Sequence, residues 1–202
     1  MMTKEIIPIE KHPLEPFLPE KARILMLGSF PPERKRWSME FFYPNWINDM
    51  WRIWGLIFFG DKEHFVAEEA DGSKARRFDK DKCAAFASSK GIAMYDTACE
   101  VRRLKDNASD KFLEVVTATD LAALLEKIPQ CCAIVTTGQK ATDIIVGTFG
   151  CAEPPVGECT VFEAAGRMMK LWRMPSSSRA YPLALEKKAD LYRKMFEKEN
   201  ML

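Results

Sequence analysis

Short, nearly continuous apolar runs recur along this chain, each ending in a glycine, an acid or a small polar residue, and alternate with longer amphipathic stretches. Ala22-Arg23-Ile24-Leu25-Met26-Leu27-Gly28 is the first, and such a run reads as a strand buried on both faces. Residues 48–59, rich in Trp, Ile, Leu and Phe and closed by Gly60, predict a helix packed under the sheet. A more charged helix is expected over 73–90, stopping at Gly91. Ile92-Ala93-Met94-Tyr95-Asp96 reads as a second buried strand that ends in an acid. Thr119-Asp120-Leu121 opens a capped helix that Pro129 terminates, 131–137 is a third strand, and Gly138-Gln139-Lys140-Ala141 begins another helix. After a loop at Pro154-Pro155 and Gly157, residues 159–163 and 168–174 predict a hairpin whose second arm joins the main sheet as its last strand. A polar loop over 175–182 and a charged amphipathic helix over 183–199 complete the chain. Strands alternating with helices call for an α/β fold with a parallel sheet covered on both faces.

The opening, with Pro8, Pro13, Pro16 and Pro19, reads as an extended arm over residues 1–20 wrapped onto the domain. At 202 residues the chain fits one domain, 1–202, with a full core. A hydrophobic content of 47% and a formal net charge of +1 exclude a uniformly basic nucleic-acid coat. They leave room for a local positive groove, and Arg34-Lys35-Arg36, Arg76-Arg77 and Arg102-Arg103 are short basic runs. Most such runs are solvated surface; the first stands out because it follows the turn after Gly28. The six cysteines show no Cys-x-x-Cys spacing, and only His12 and His64 are available beside them, which argues against a metal site. No secretory signal is read at the N-terminus, so reduced thiols in a cytoplasm are expected. No apolar run reaches membrane-spanning length. The neutral balance and this length point to a monomer.

Ligands in open parallel sheets bind outside the carboxyl ends of the strands. Four strand ends here carry polar or turn-forming residues: Gly28-Ser29-Phe30-Pro31-Pro32, Asp96, Thr137-Gly138 and Pro175-Ser176-Ser177-Ser178. Tyr43-Pro44-Asn45-Trp46-Ile47-Asn48 precedes the helix that follows the first of these strands. Asn48 suits an N-cap for a helix starting at Asp49, or a carboxamide that holds a water against a sugar carbon. Tyr43 fits either the core or a platform for a flat ligand. Asp96 caps a turn or accepts the ring N–H of a purine or pyrimidine. Ser176, Ser177 and Ser178 form a turn or clamp phosphates with hydroxyls and backbone amides. Arg179 is a surface charge, or else fills the gap left by a displaced base or binds a phosphate. Phosphate-binding and dinucleotide glycine motifs, and the Gly-x-Ser-x-Gly elbow of serine hydrolases, are absent.

With these residues in view, the chain resembles the uracil-DNA glycosylase superfamily, most closely its hypoxanthine-DNA glycosylase branch, from about His12 to the end. His12-Pro13-Leu14-Glu15-Pro16 leads into Ile24-Leu25-Met26-Leu27-Gly28-Ser29-Phe30-Pro31, which looks like the family's first motif. Phe42-Tyr43 followed by Asn45, Asn48, Trp51 and Arg52 matches the spacing of the branch's next segment. Residues 91–96 and Gly138-Gln139-Lys140-Ala141 are similar to its middle segments, and Pro175-Ser176-Ser177-Ser178 with Ala180 to the second motif. The resemblance implies a three-layer α/β/α sandwich around a central four-stranded parallel sheet, with no metal or organic cofactor. It implies a base flipped out of double- or single-stranded DNA, a deaminated one such as hypoxanthine or uracil, and hydrolysis of its bond to deoxyribose. Most of the superfamily carries Asp or Asn two residues beyond the first-motif glycine; this chain has Phe30, a departure the hypoxanthine branch shares. The carry-over makes Asn48 catalytic and puts Phe30, Tyr43, Asn45 and Asp96 around the base. Gly28, Ser29, Pro31, Ser176, Ser177, Ser178 and Arg179 then meet the DNA backbone. Arg179 stands where proline is common, Tyr181 where a small polar residue is usual, and 33–42 is unusually basic and aromatic. Two rival functions use the same pocket: a binder of damaged DNA without chemistry, and a hydrolase of free nucleosides or nucleotides.

Overall fold

Ile24–Gly28 (β2) has no polar face because a parallel partner lies on each side of it and packed core covers it. The computed structural model describes residues 7–105 and 110–202. Along the chain, β1 (Ile9–Lys11) precedes β2, and α1 (Met50–Phe59) follows it. Next come β3 (Val66–Glu68), β4 (Lys74–Phe78), α2 (Lys80–Ser89), β5 (Ile92–Asp96), β6 (Ala98–Arg103) and β7 (Leu113–Ala118). The chain continues with α3 (Leu121–Glu126), β8 (Ala133–Thr136), α4 (Gln139–Phe149), β9 (Glu158–Ala164), β10 (Arg167–Arg173) and α5 (Leu185–Lys198).

The central sheet runs β5-β2-β8-β10-β9, parallel in its first four strands and antiparallel at β9. It therefore has five strands where the resemblance implies four: both arms of the last hairpin join, and the first arm becomes an antiparallel edge. Register brings the carboxyl ends level, with Gly28 opposite Asp96 and Thr136 opposite both Leu27 and Arg173. That alignment makes one rim out of four strand ends.

The helix expected over 73–90 is two elements. Asp71-Gly72, with Gly72 at φ 81°, turns β3 into β4, which buries Ala75 and Phe78 and leaves Arg76 and Arg77 exposed. Asp79 then caps α2 by accepting from the Lys82 N–H (3.0 Å). A separate sheet, β1-β6-β7, lies outside the expected pattern altogether. Its first strand belongs to the arm, which runs on antiparallel to β5 with Phe17 and Met94 exchanging backbone bonds (3.0 and 2.9 Å). Under the rim, α1 packs on α5, and Trp51 and Trp54 stand edge to face at 4.8 Å in a cage of Phe41, Phe65, Phe86 and Phe196. No described helix is long and apolar enough to cross a membrane.

Candidate functional site

A cavity of about 650 Å³ opens at the level rim. Its walls include Gly28, Ser29, Phe30 and Pro31 after β2; Tyr43, Asn45 and Asn48 before α1; Asp96 at the end of β5; and Ser176, Ser177 and Ser178 after β10. The fold thus gathers eleven of the twelve residues singled out from sequence. Arg179 is the twelfth: its Nε donates to Asp49 Oδ1 (2.8 Å), and its side chain stays 46% exposed beside the serine bend.

Helix α1 starts at Met50, one residue later than expected, and the Asp49 carboxylate does not cap it. The cap comes from Asn48, whose Oδ1 accepts the Met50 N–H at 2.9 Å. This bond fixes the amide orientation, because only the oxygen can accept. One lone pair of Oδ1 and both N–H groups of Nδ2 are left for other partners. The backbone of Asn48 is held twice more, by an antiparallel bridge to Ser178 and by Arg52, which donates to Asn48 O (3.2 Å) and Trp46 O (2.9 Å). Burial first, and Arg179 second, pull Arg52 down to about 10, so it remains charged at neutral pH.

Tyr43 adopts φ 51°, in the left-handed region that a bulky residue enters at a cost of roughly 1–2 kcal/mol. The ring lies edge to face with Trp54 (6.3 Å). Burial and the nearby Asp96 push the phenol well above its ordinary range, against a lowering hydrogen bond from Thr137, so it presents a neutral hydroxyl. Phe30 lines the cavity but packs mainly with Ala98, Val101 and Leu113 of the small sheet.

Gly28 has a steric reason. A Cβ there would stand 2.5 Å from Asp96 Oδ1, so only glycine lets the carboxylate fold over the end of β2. The expected result of Gly28→Ala is displacement of Asp96 and loss of ligand affinity by about tenfold or more, with the fold kept. Titration of the variant with a cavity ligand checks this, and unchanged affinity would mean that the carboxylate does not contact the ligand.

In the serine bend, Ser176 Oγ accepts the Ser178 N–H and Ser178 Oγ the Ala180 N–H (both 3.2 Å). Their hydroxyl protons remain available to a ligand, whereas Ser177 is buried. The bend is anchored from below: the Asp49 N–H donates to Ser177 O (2.8 Å), and Lys188 Nζ to Ser178 O (2.8 Å) and Asp49 Oδ2 (3.4 Å).

Two groups of residues escape sequence reasoning. Arg103, Lys111 and Leu113 supply a wall from the small sheet and its approach. Arg103, read as part of a solvated run, has a side chain only 5% exposed and is gripped by both Glu10 oxygens (3.1 and 3.0 Å). The second is His12, whose Nε2 lies 2.9 Å from Asp96 Oδ2. The segment 12–16 opens the family resemblance, but His12 is given no role there, because its partner is 84 positions away.

Chemically, the arrangement offers an aromatic platform, a carboxylate at a fixed edge, an oriented amide oxygen and a bend bearing hydroxyls. No protein-family model matches the sequence, and no curated protein matches it. The structure is similar to the solution NMR structure of a protein from Methanosarcina acetivorans described as a "putative Uracil DNA glycosylase", at 20% identity and a TM-score of 0.61. The match covers 96% of this chain and 99% of the other, and it establishes that the two share a fold over nearly their whole lengths.

Proposed function

We propose that the protein is a DNA glycosylase of the uracil-DNA glycosylase superfamily that receives a flipped-out, deaminated base and hydrolyses its N-glycosidic bond. The observation that carries this reading is the convergence of Asn48, Tyr43, Asp96 and the serine bend on one cavity of about 650 Å³. The fold shared with the Methanosarcina acetivorans protein and the sequence resemblance support it independently. The reading takes the chain as one α/β/α domain acting as a monomer, without metal or organic cofactor, on double- or single-stranded DNA.

Extrusion of the base costs a few kcal/mol of unstacking, least at a mispair. Tyr43 stacks on the base and Asp96 meets its edge. Deamination turns adenine N1 and cytosine N3, both acceptors, into the N–H donors of hypoxanthine and uracil. A carboxylate acceptor therefore fits the lesion and repels the parent base. The C1′–N bond breaks with its electron pair going to the base, leaving an oxocarbenium-like sugar. Asn48 Oδ1 holds a water whose oxygen adds to C1′; the water's proton is lost to solvent, and the departing base takes one up. An amide is a weak base, but a cationic centre needs an aligned water more than a basic one. Ser176 and Ser178 hold the flanking phosphates. Phe30, in place of the usual acid or amide, supports the hypoxanthine branch, because Asn48 is then the water-holding group.

Incubation with duplexes each carrying one uracil, hypoxanthine or xanthine, followed by alkaline cleavage, tests the reading. Alkali-labile sites at hypoxanthine are expected. Tight binding to these duplexes without any scission would sink the enzymatic reading in favour of a damage-binding module. Turnover of free nucleosides alone would move the substrate off DNA.

A further inference from the structure

We propose that His12 is a positioning residue that keeps Asp96 a hydrogen-bond acceptor toward the base, and thereby sets the preference for deaminated over parent bases. The inference rests on the glycosylase reading above and deepens it. His12 lies in the arm just beyond β1, and its side chain is only 3% exposed. Its ring is wedged edge-on to Phe30 (5.4 Å) and against Tyr95 (4.5 Å), so it cannot turn away from Asp96 without repacking both.

The two oxygens of Asp96 have separate surroundings. Oδ2 meets His12 Nε2 at 2.9 Å, while Oδ1 lies over Gly28 at the cavity wall. At the other side of the imidazole, Nδ1 lies 3.2 Å from the Leu14 N–H and 2.7 Å from Leu14 O. Nε2 faces a carboxylate oxygen, which only accepts, so the ring nitrogen is the donor of this pair.

That donor matters because a carboxyl group has two characters. Ionised, it only accepts; protonated, it also donates through one hydroxyl. A hydroxyl at Oδ1 would pair with adenine N1 or cytosine N3, the parent bases. With a charge-assisted N–H holding Oδ2, the carboxylate is fixed in place and Oδ1 is left as the acceptor, which pairs with hypoxanthine N1–H or uracil N3–H. Sites that hydrogen-bond a substrate reject the analogue lacking the partner far more strongly than apolar pockets do.

The test compares wild type, His12→Phe, which keeps a ring in the slot without a donor, and His12→Gln, whose amide N–H reaches the same place. Single-turnover excision and equilibrium affinity are measured on duplexes that differ only in carrying hypoxanthine or adenine. His12→Phe is expected to lower the hypoxanthine-over-adenine ratio at least about tenfold, and His12→Gln to restore most of it. A purely structural role would lower both substrates together and leave the ratio unchanged. A folded His12→Phe protein with the wild-type ratio would overturn the proposal. If His12→Phe does not fold, His12→Met fills the slot without a donor, and the same ratio decides. Should wild type excise neither base, the glycosylase reading falls and the affinity ratio alone decides the role of His12. No preference for hypoxanthine in either measurement would overturn both.

Discussion

Asn48→Ser is expected to lose about a hundredfold or more in single-turnover base excision while unfolding within about 0.5 kcal/mol of wild type. Serine is the informative replacement because Asn48 does two things. Its Oδ1 caps α1 through the Met50 N–H, and the same oxygen is the proposed holder of the attacking water. Serine caps a helix about as well as asparagine, but its hydroxyl ends one atom short of the amide oxygen. Asn48→Ala would mix both effects, adding about 1 kcal/mol of lost capping to any loss of catalysis. Asn48→Asp should keep the cap, favoured by the helix dipole, and retain a water-orienting oxygen. Wild-type excision by the serine variant would remove Asn48 from the mechanism. Equal loss in the serine and aspartate variants would point to the Nδ2 side of the amide instead.

The second large effect is on stability. Asp49 joins three parts of the molecule: its N–H anchors Ser177 O, its Oδ1 takes Arg179 Nε (2.8 Å), and its Oδ2 faces Lys188 Nζ (3.4 Å). Lys188 is only 1% exposed, so Asp49→Ala leaves a buried ammonium held by the Ser178 carbonyl without its carboxylate. Breaking one side of such a pair typically costs about 3–5 kcal/mol, which denaturant unfolding would read directly. Lys188→Met should cost less, because Arg179 still faces the carboxylate. The double change Asp49→Leu with Lys188→Met should recover part of the loss, since neither charge is then stranded. A loss under 1 kcal/mol in Asp49→Ala would mean that water reaches Lys188 and that the serine bend is anchored by its backbone alone.

Strands β2, β5 and β8 were legible because burial on both faces leaves an uninterrupted apolar run, and a parallel register makes their ends coincide. The rim residues therefore group together on sequence alone. Strands β6 and β7 were not, because their pairing shifts register between Ala98 and Glu100 and again before Val101, which breaks the two-residue alternation. Charged residues on their exposed faces hide them further, and with them went the wall formed by Arg103, Lys111 and Leu113. The stretch 74–78 misled for a related reason: Lys, Arg and Arg in a short hairpin strand resemble the charged face of a helix. His12 lay beyond local reasoning, because its role exists only once an extended arm has crossed to the end of β5.

The left-handed backbone at Tyr43 carries one more consequence. Glycine would adopt that conformation without strain, but it would lose the ring's packing on Trp54 and the core beside it. The chain therefore accepts a strained backbone at this point together with a packed aromatic contact that offsets the strain. Under the proposed function the same strained turn presents the ring to a guest base, so position 43 answers to the empty protein and to its ligand at once.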